Sequence, residues 1–263
     1  MTLWNPFLIV LLFLYQFAWG FLIYRMVQDL VIPVMHRYPG KGMPAQLNAL
    51  FWAESQFRLL RTDLADPWLW TLLAILLARM ALTPLLNAGI FHQIHQTHAD
   101  GRRSFLAGIR RLGAAFALVY AGRMALSLLP LIWLVPRAGR LVLDGGVRLE
   151  QAAAQLAPLL AAYGLYLAAL ELAAMYIQFG LAGRTGPLQP LGVLARNLPG
   201  AVGIRLAVFA AGLAALAASA SVTWFAAGLA AVIAHQAYPL VRVLLSLWEI
   251  GSQHHLWAAK TAP

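Results

Sequence analysis

Apolar residues run in six long blocks along this chain, and most polar residues fall in the segments between them. The blocks cover residues 4–24, 68–91, 113–135, 152–180, 200–218 and 222–248. A helix of about 20 apolar residues crosses the ~30 Å hydrocarbon core of a bilayer. The pattern therefore predicts an all-α polytopic transmembrane bundle of about six spans, forming one integral-membrane domain over residues 1–263. Trp4 and Tyr24 stand at the ends of the first block, where aromatic rings favour the membrane interface. Asp66-Pro67 is a good start for the second. The first block has no basic leader or small-residue cleavage site, so it reads as a retained span.

The longest polar segment, residues 25–66, joins spans 1 and 2. Its second half, residues 47–65, places Leu47, Leu50, Ala53, Phe57, Leu60 and Leu64 at helical spacing, with Glu54, Arg58 and Arg61 elsewhere. This predicts an amphipathic helix lying on the membrane surface or capping the bundle. Span 5 carries Gly203, Ala207, Ala211, Ala215 and Ser219 at every fourth position, and span 6 carries Ala226, Ala230 and Ala234. Small residues let helices in lipid approach closely. A turn near Ser219 to Ser221 would then make these two spans a tight antiparallel hairpin. Pro84, Pro130, Pro158 and Pro239 lie in or near spans, and each frees a carbonyl that needs a partner in a bilayer.

Four ionisable residues fall near mid-depth: Arg79 in span 2, Arg123 in span 3, Glu171 in span 4 and His235 in span 6. Charges at that depth are costly and rarely idle. Glu171 is the acid deepest in a span, so the expectation is an ionised carboxylate paired with Arg123 or Arg79. The pair either pins helix register or belongs to a polar binding site in a water-filled cavity. Two arginines facing one glutamate would leave a spare positive charge suited to an anionic group. Arg205 and Arg242 are placed to snorkel toward headgroups.

Composition agrees with a membrane setting: 62% of residues are hydrophobic and 11% charged, where a soluble domain is nearer a quarter charged. The net charge of +10 comes from 17 Arg, 2 Lys and 9 acids. The basic residues cluster between spans and suit anionic lipid headgroups. No basic face is interleaved with exposed aromatics, so nucleic acid is not an expected partner. Arg102, Arg103, Arg110 and Arg111 lie in the 2–3 connection, and Arg184 and Arg196 in the 4–5 connection. Placing those inside predicts cytoplasmic N- and C-termini, although the 1–2 and 3–4 connections are basic too.

The chain has no cysteine, which excludes disulfides, thiolate catalysis and iron–sulfur clusters. His92, His95 and His98 follow span 2, with His254 and His255 near the same face. The set is similar to the histidine boxes of membrane desaturases and hydroxylases, and implies a candidate metal site at His92, His95 and His98. Residues three apart on a helix turn by about 300°, so His92 and His98 diverge by about 120°. The alternative is a headgroup-contacting segment. No phosphate loop, nucleophile elbow or paired carboxylates occur, and no cofactor is expected.

Pro84-Leu85-Leu86-Asn87-Ala88-Gly89-Ile90, then Asp100-Gly101-Arg102 and Phe105-Leu106-Ala107-Gly108-Ile109, form a span end, a basic segment and a short helix into the next span. This resembles uncharacterised bacterial six-helix membrane proteins, including the membrane domain of some glycerophosphodiester phosphodiesterases, over roughly residues 84–248. The resemblance implies six helices with interfacial cytoplasmic segments; the hydrolase domain of those enzymes has no counterpart here. The expected role is a non-catalytic accessory or scaffold protein of a bacterial cytoplasmic membrane, serving an envelope or export process. The alternatives are a small permease using the Arg/Glu/His layer, and a membrane-embedded lipid or metal-dependent enzyme. The partners expected are membrane lipids, with other membrane proteins or an ABC-type system as candidates.

Overall fold

Apolar blocks of this length, free of water to compete for backbone groups, settle into helix. In the computed structural model, which describes residues 6–36, 50, 66–96, 101–143, 149–225 and 229–261, the described residues form helices and short connections and no strand. The helices are α1 (Pro6–His36), α2 (Asp66–His95), α3 (Gly101–Leu143), α4 (Leu149–Gly183), α5 (Leu188–Arg196), α6 (Leu198–Phe225) and α7 (Leu229–Thr261). Five stretches are long and apolar enough to cross a membrane: Pro6–Asp29, Trp68–His95, Arg102–Arg140, Ala154–Gly183 and Leu198–Val222. The expected sixth block falls partly on residues 226–228, outside the described residues, and continues as α7. The expected surface helix over 47–65 also lies outside them, apart from Leu50.

The chain divides into two units, one of Met1–Ile9 with Pro84–Pro263 and one of Val10–Thr83. In the smaller unit, Tyr15 of α1 stands edge-on to Trp19 at 5.8 Å. The Thr83 hydroxyl donates to the Arg79 carbonyl at 2.6 Å, so the 2.7 Å bond between Tyr15 and Thr83 has the tyrosine as donor. That bond ties α1 to α2.

In the larger unit the end of α2 packs against the start of α3 through glycines. A Cβ on Gly108 would stand 2.6 Å from the His92 Cβ and 2.9 Å from the Ala88 carbonyl oxygen, and one on Gly89 would strike the Phe105 ring. A similar approach closes the end of α4, where a side chain at Gly180 would collide with the Gly186 carbonyl and the Pro190 ring. The chain turns there through Arg184 at φ 58° and Gly186 at φ 83°. Helix α5 then buries Pro190 and Leu194.

The expected hairpin of the last two long helices is present. Gly200 faces Leu256, and Gly212 faces Leu245 at 3.8 Å, an antiparallel register. The packed face follows the stripe of small residues only in its later part, where Ala211, Ala215 and Ser219 are half-buried. Ala201 and Val208 are buried, while Gly203 and Ala207 are exposed and a Cβ on Gly203 would meet nothing. The expected turn near Ser219 to Ser221 is also corrected: α6 continues through it to Phe225. There the Ser221 hydroxyl donates to the Ala217 carbonyl one turn back, so the serine is satisfied without leaving the helix.

The carbonyls freed by Pro130 find partners across a helix boundary. Proline at 130 has no N–H for the Leu126 carbonyl. The Tyr166 hydroxyl of α4 donates to that oxygen at 2.9 Å. The Tyr163 hydroxyl donates to the neighbouring Ser127 carbonyl at 3.0 Å. The interruption in α3 thereby becomes an attachment point for α4.

Candidate functional site

The antiparallel pairings α3–α4 and α6–α7 bring four charged side chains of the larger unit together. Arg205 of α6 stands between two carboxylates. Its Nη1 donates to Glu249 Oε1 of α7 at 3.0 Å, and its Nη2 donates to Glu171 Oε2 of α4. The planar fork of a guanidinium suits such a bridge, because its donors point to separate acceptors in fixed directions. Arg123 of α3 approaches the other oxygen of Glu171 at 3.6 Å. Glu171 is twelve residues from the end of α4 at Gly183, or about 18 Å along the axis, well inside the apolar stretch.

The site differs from the sequence expectation in composition. Glu171 does approach Arg123, yet its close partner is Arg205, which was expected to snorkel to the membrane surface. Glu249 adds a second carboxylate, so two guanidiniums face two carboxylates. The spare positive charge expected of this cluster is therefore cancelled. The signal available in the sequence was the i, i+4 spacing of Glu249 and Gln253 on α7, one polar stripe that a boundary at residue 248 cuts off. Arg79 belongs to the smaller unit and its side chain is exposed. His235 is on α7, with its side chain outside the described residues.

One turn beyond Glu249, Gln253 is fully buried. Its amide donates to the Ala201 carbonyl at 2.8 Å and its oxygen accepts from the Tyr176 hydroxyl at 3.0 Å. This neutral link joins α4, α6 and α7 at one level. Beyond it lies an aromatic layer. Phe179 stacks on Trp257 at 5.9 Å and lies 5.1 Å from Phe91, which meets Phe116 edge-on at 5.5 Å. The aromatic rings and the buried glutamine were not singled out by hydropathy, because Tyr, Phe and Gln at these positions read as ordinary span and span-end residues.

Of the three histidines expected as metal ligands, His92 is buried in the α2–α3 contact, His95 is exposed and His98 lies outside the described residues. The His95 ring is 6.0 Å from that of His254. Among the described residues no group of three or more His, Cys, Asp or Glu is placed to hold a metal. His254 lies beyond the apolar stretch, and burial pushes its pKa down to about 4, helped by the nearby His95 and His255. Its Nε2 is buried without a hydrogen-bond partner among the described residues, an environment that keeps the ring neutral.

Two of the basic connections lie at the same end of the larger unit as this aromatic layer. Arg102 and Arg103 begin α3, while Arg184 and Arg196 flank α5, and all four are exposed. The start of α1 reaches this end, with Phe7 edge-on to Phe105 at 5.8 Å. So does the end of α7, where Trp257 lies against Gly183. Comparison with protein-family models, with curated proteins and with solved structures finds no match.

Proposed function

We propose that this chain is a non-catalytic multi-pass protein of a bacterial cytoplasmic membrane, acting as an accessory or scaffold partner in an envelope or export process. The observation that carries the reading is the charge balance of Arg123, Glu171, Arg205 and Glu249. Uncompensated charge is one feature that would draw a charged solute into the membrane interior. Here the two arginines and two glutamates answer one another, which suits a device that fixes how four helices meet.

Six crossings complete the topology. Helix α7 lies antiparallel along α6 from Gln253 opposite Ala201 to Leu245 opposite Gly212. Where α6 crosses, α7 returns. Both termini then share the side that carries Arg102, Arg103, Arg184 and Arg196, and we read that side, with its short basic connections, as the cytoplasmic one. Membrane lipids are constant partners at those arginines.

A small permease is the second reading, favoured by the exposure of Glu171 on the flank of its helix. Water access separates the two. Because the chain is cysteine-free, a single Ala168→Cys one turn from Glu171 reports on its own surroundings. In native membrane vesicles of either orientation, a charged maleimide should leave that cysteine unlabelled. Labelling at the rate of a loop cysteine would reveal an aqueous path and replace the accessory reading with the permease.

A further inference from the structure

The charge network is neutral in sum and unfinished on one side. Glu171 is 47% exposed and Arg123 is 34% exposed, against 24% for Arg205 and 19% for Glu249. The inner half of the network is thus enclosed by α6 and α7, and the outer half stands on the flank of the α3–α4 pair. A guanidinium has five N–H donors. Among the described residues, that of Arg123 makes the 3.6 Å approach to Glu171 and lies 5.6 Å from the Tyr120 ring centroid, neither a hydrogen bond of ordinary length. Acyl chains offer such a group no acceptor, and it stands too deep for a headgroup to reach without distortion.

Two glycines lie near this flank. Gly164 lies two turns before Glu171 on the same face of α4, and a side chain there would meet nothing within 4 Å, as would one at Gly122 beside Arg123. Small residues of this kind let a second helix pair approach closely. Alone they would indicate nothing; beside an incompletely partnered ion pair they leave room for its missing acceptor.

We infer that this flank docks a second copy of the same chain. Arg123 and Glu171 sit side by side on neighbouring antiparallel helices, one positive and one negative, at matching depth. A twofold axis along the membrane normal exchanges left and right while preserving depth and orientation. It sets Arg123 of one copy opposite Glu171 of the other, and the reverse, so the patch is its own electrostatic complement. Each Glu171 keeps its bond to Arg205 and gains a second guanidinium. The inference rests on the accessory reading and names a partner for it.

Two measurements test it. Native mass spectrometry of the detergent-purified protein should give a dimer, and Arg123→Gln should weaken dimerisation at least tenfold. The melting temperature of the variant, followed in excess detergent, should stay close to wild type, because the Arg205 bridges are untouched. In intact membranes, Gly164→Cys should be captured as a dimer by a short bismaleimide, and Leu213→Cys, exposed on α6, should not. A wild-type monomer, a dimer indifferent to Arg123→Gln, or equal capture at Leu213→Cys would each overturn the inference. A monomer whose Ala168→Cys is closed to water removes the dimer and leaves the accessory reading standing.

Discussion

Arg205 carries most of the electrostatic burden of this fold, since it alone joins both glutamates within the described network. Removing one member of an enclosed ion pair leaves its partner's charge uncompensated, at a cost of about 3–5 kcal/mol. Removing Arg123, which stands 3.6 Å from Glu171, strands neither carboxylate, because Glu171 and Glu249 both keep Arg205. Arg205→Leu should therefore destabilise the protein severely in a detergent unfolding titration, while Arg123→Gln should change the monomer little. Adding Glu171→Gln and Glu249→Gln to Arg205→Leu should recover part of the loss, since the stranded charges are then gone. Equal effects of the two arginine substitutions would contradict this division of roles. Hydropathy found Glu171 and Arg123 because they interrupt apolar blocks. It misplaced Arg205 and passed over Glu249, because a charge near a span end is as compatible with snorkelling as with pairing, and only a neighbour across the helix boundary decides between them.

At the scale of the elements, polar side chains repair what proline breaks. Pro130 removes the donor that would serve the Leu126 carbonyl, and Tyr166 replaces it from α4. Interhelical hydrogen bonds in membranes contribute about 0.6 kcal/mol on average and rarely more than about 1.7. Tyr166→Phe should cost about 1 kcal/mol in the natural background. In a Pro130→Ala background α3 can supply its own amide, and the same substitution should be nearly silent. A double-mutant cycle reads the difference, and a coupling energy indistinguishable from zero would dismiss the repair. Proline positions were legible in the sequence, and so was the need of each freed carbonyl for a partner. The partner was not, since Tyr163 and Tyr166 lie more than thirty residues away in sequence. The stripe of small residues in α6 marks the packed face at Ala211, Ala215 and Ser219 but not at Gly203 and Ala207, for a related reason. Spacing four marks a smooth face, but the neighbour's bulk, at Leu245 and Leu256, selects which face is buried.

For the whole molecule, the placement of the ends of α1 and α7 beside the connections carrying Arg102, Arg103, Arg184 and Arg196 predicts a measurable topology. Reporter fusions active only in the cytoplasm should be active at both the N- and C-terminus. A reporter active only outside the cytoplasm should be active when inserted at residues 226–228. Opposite sidedness of the two termini would require an odd number of crossings and contradict the proposed six spans. The histidines show the limit of patterns along a chain. His92, His95 and His98 are close in sequence, yet His92 packs against Gly108, and the rings described beside His95 are those of His254 and Trp257.

The sequence by itself determined the solvent and the secondary structure: apolar runs of span length, with backbone groups that only helix can satisfy in lipid, leave little alternative. Position along each helix can likewise be counted from one chain alone. Tertiary structure alone decided direction around each helix axis, and with it which charges meet. Depth depends on one chain's own length, whereas facing depends on the shapes of two helices at once. The Glu171–Arg205–Glu249 bridge and the Tyr176–Gln253–Ala201 link are products of that second kind of information.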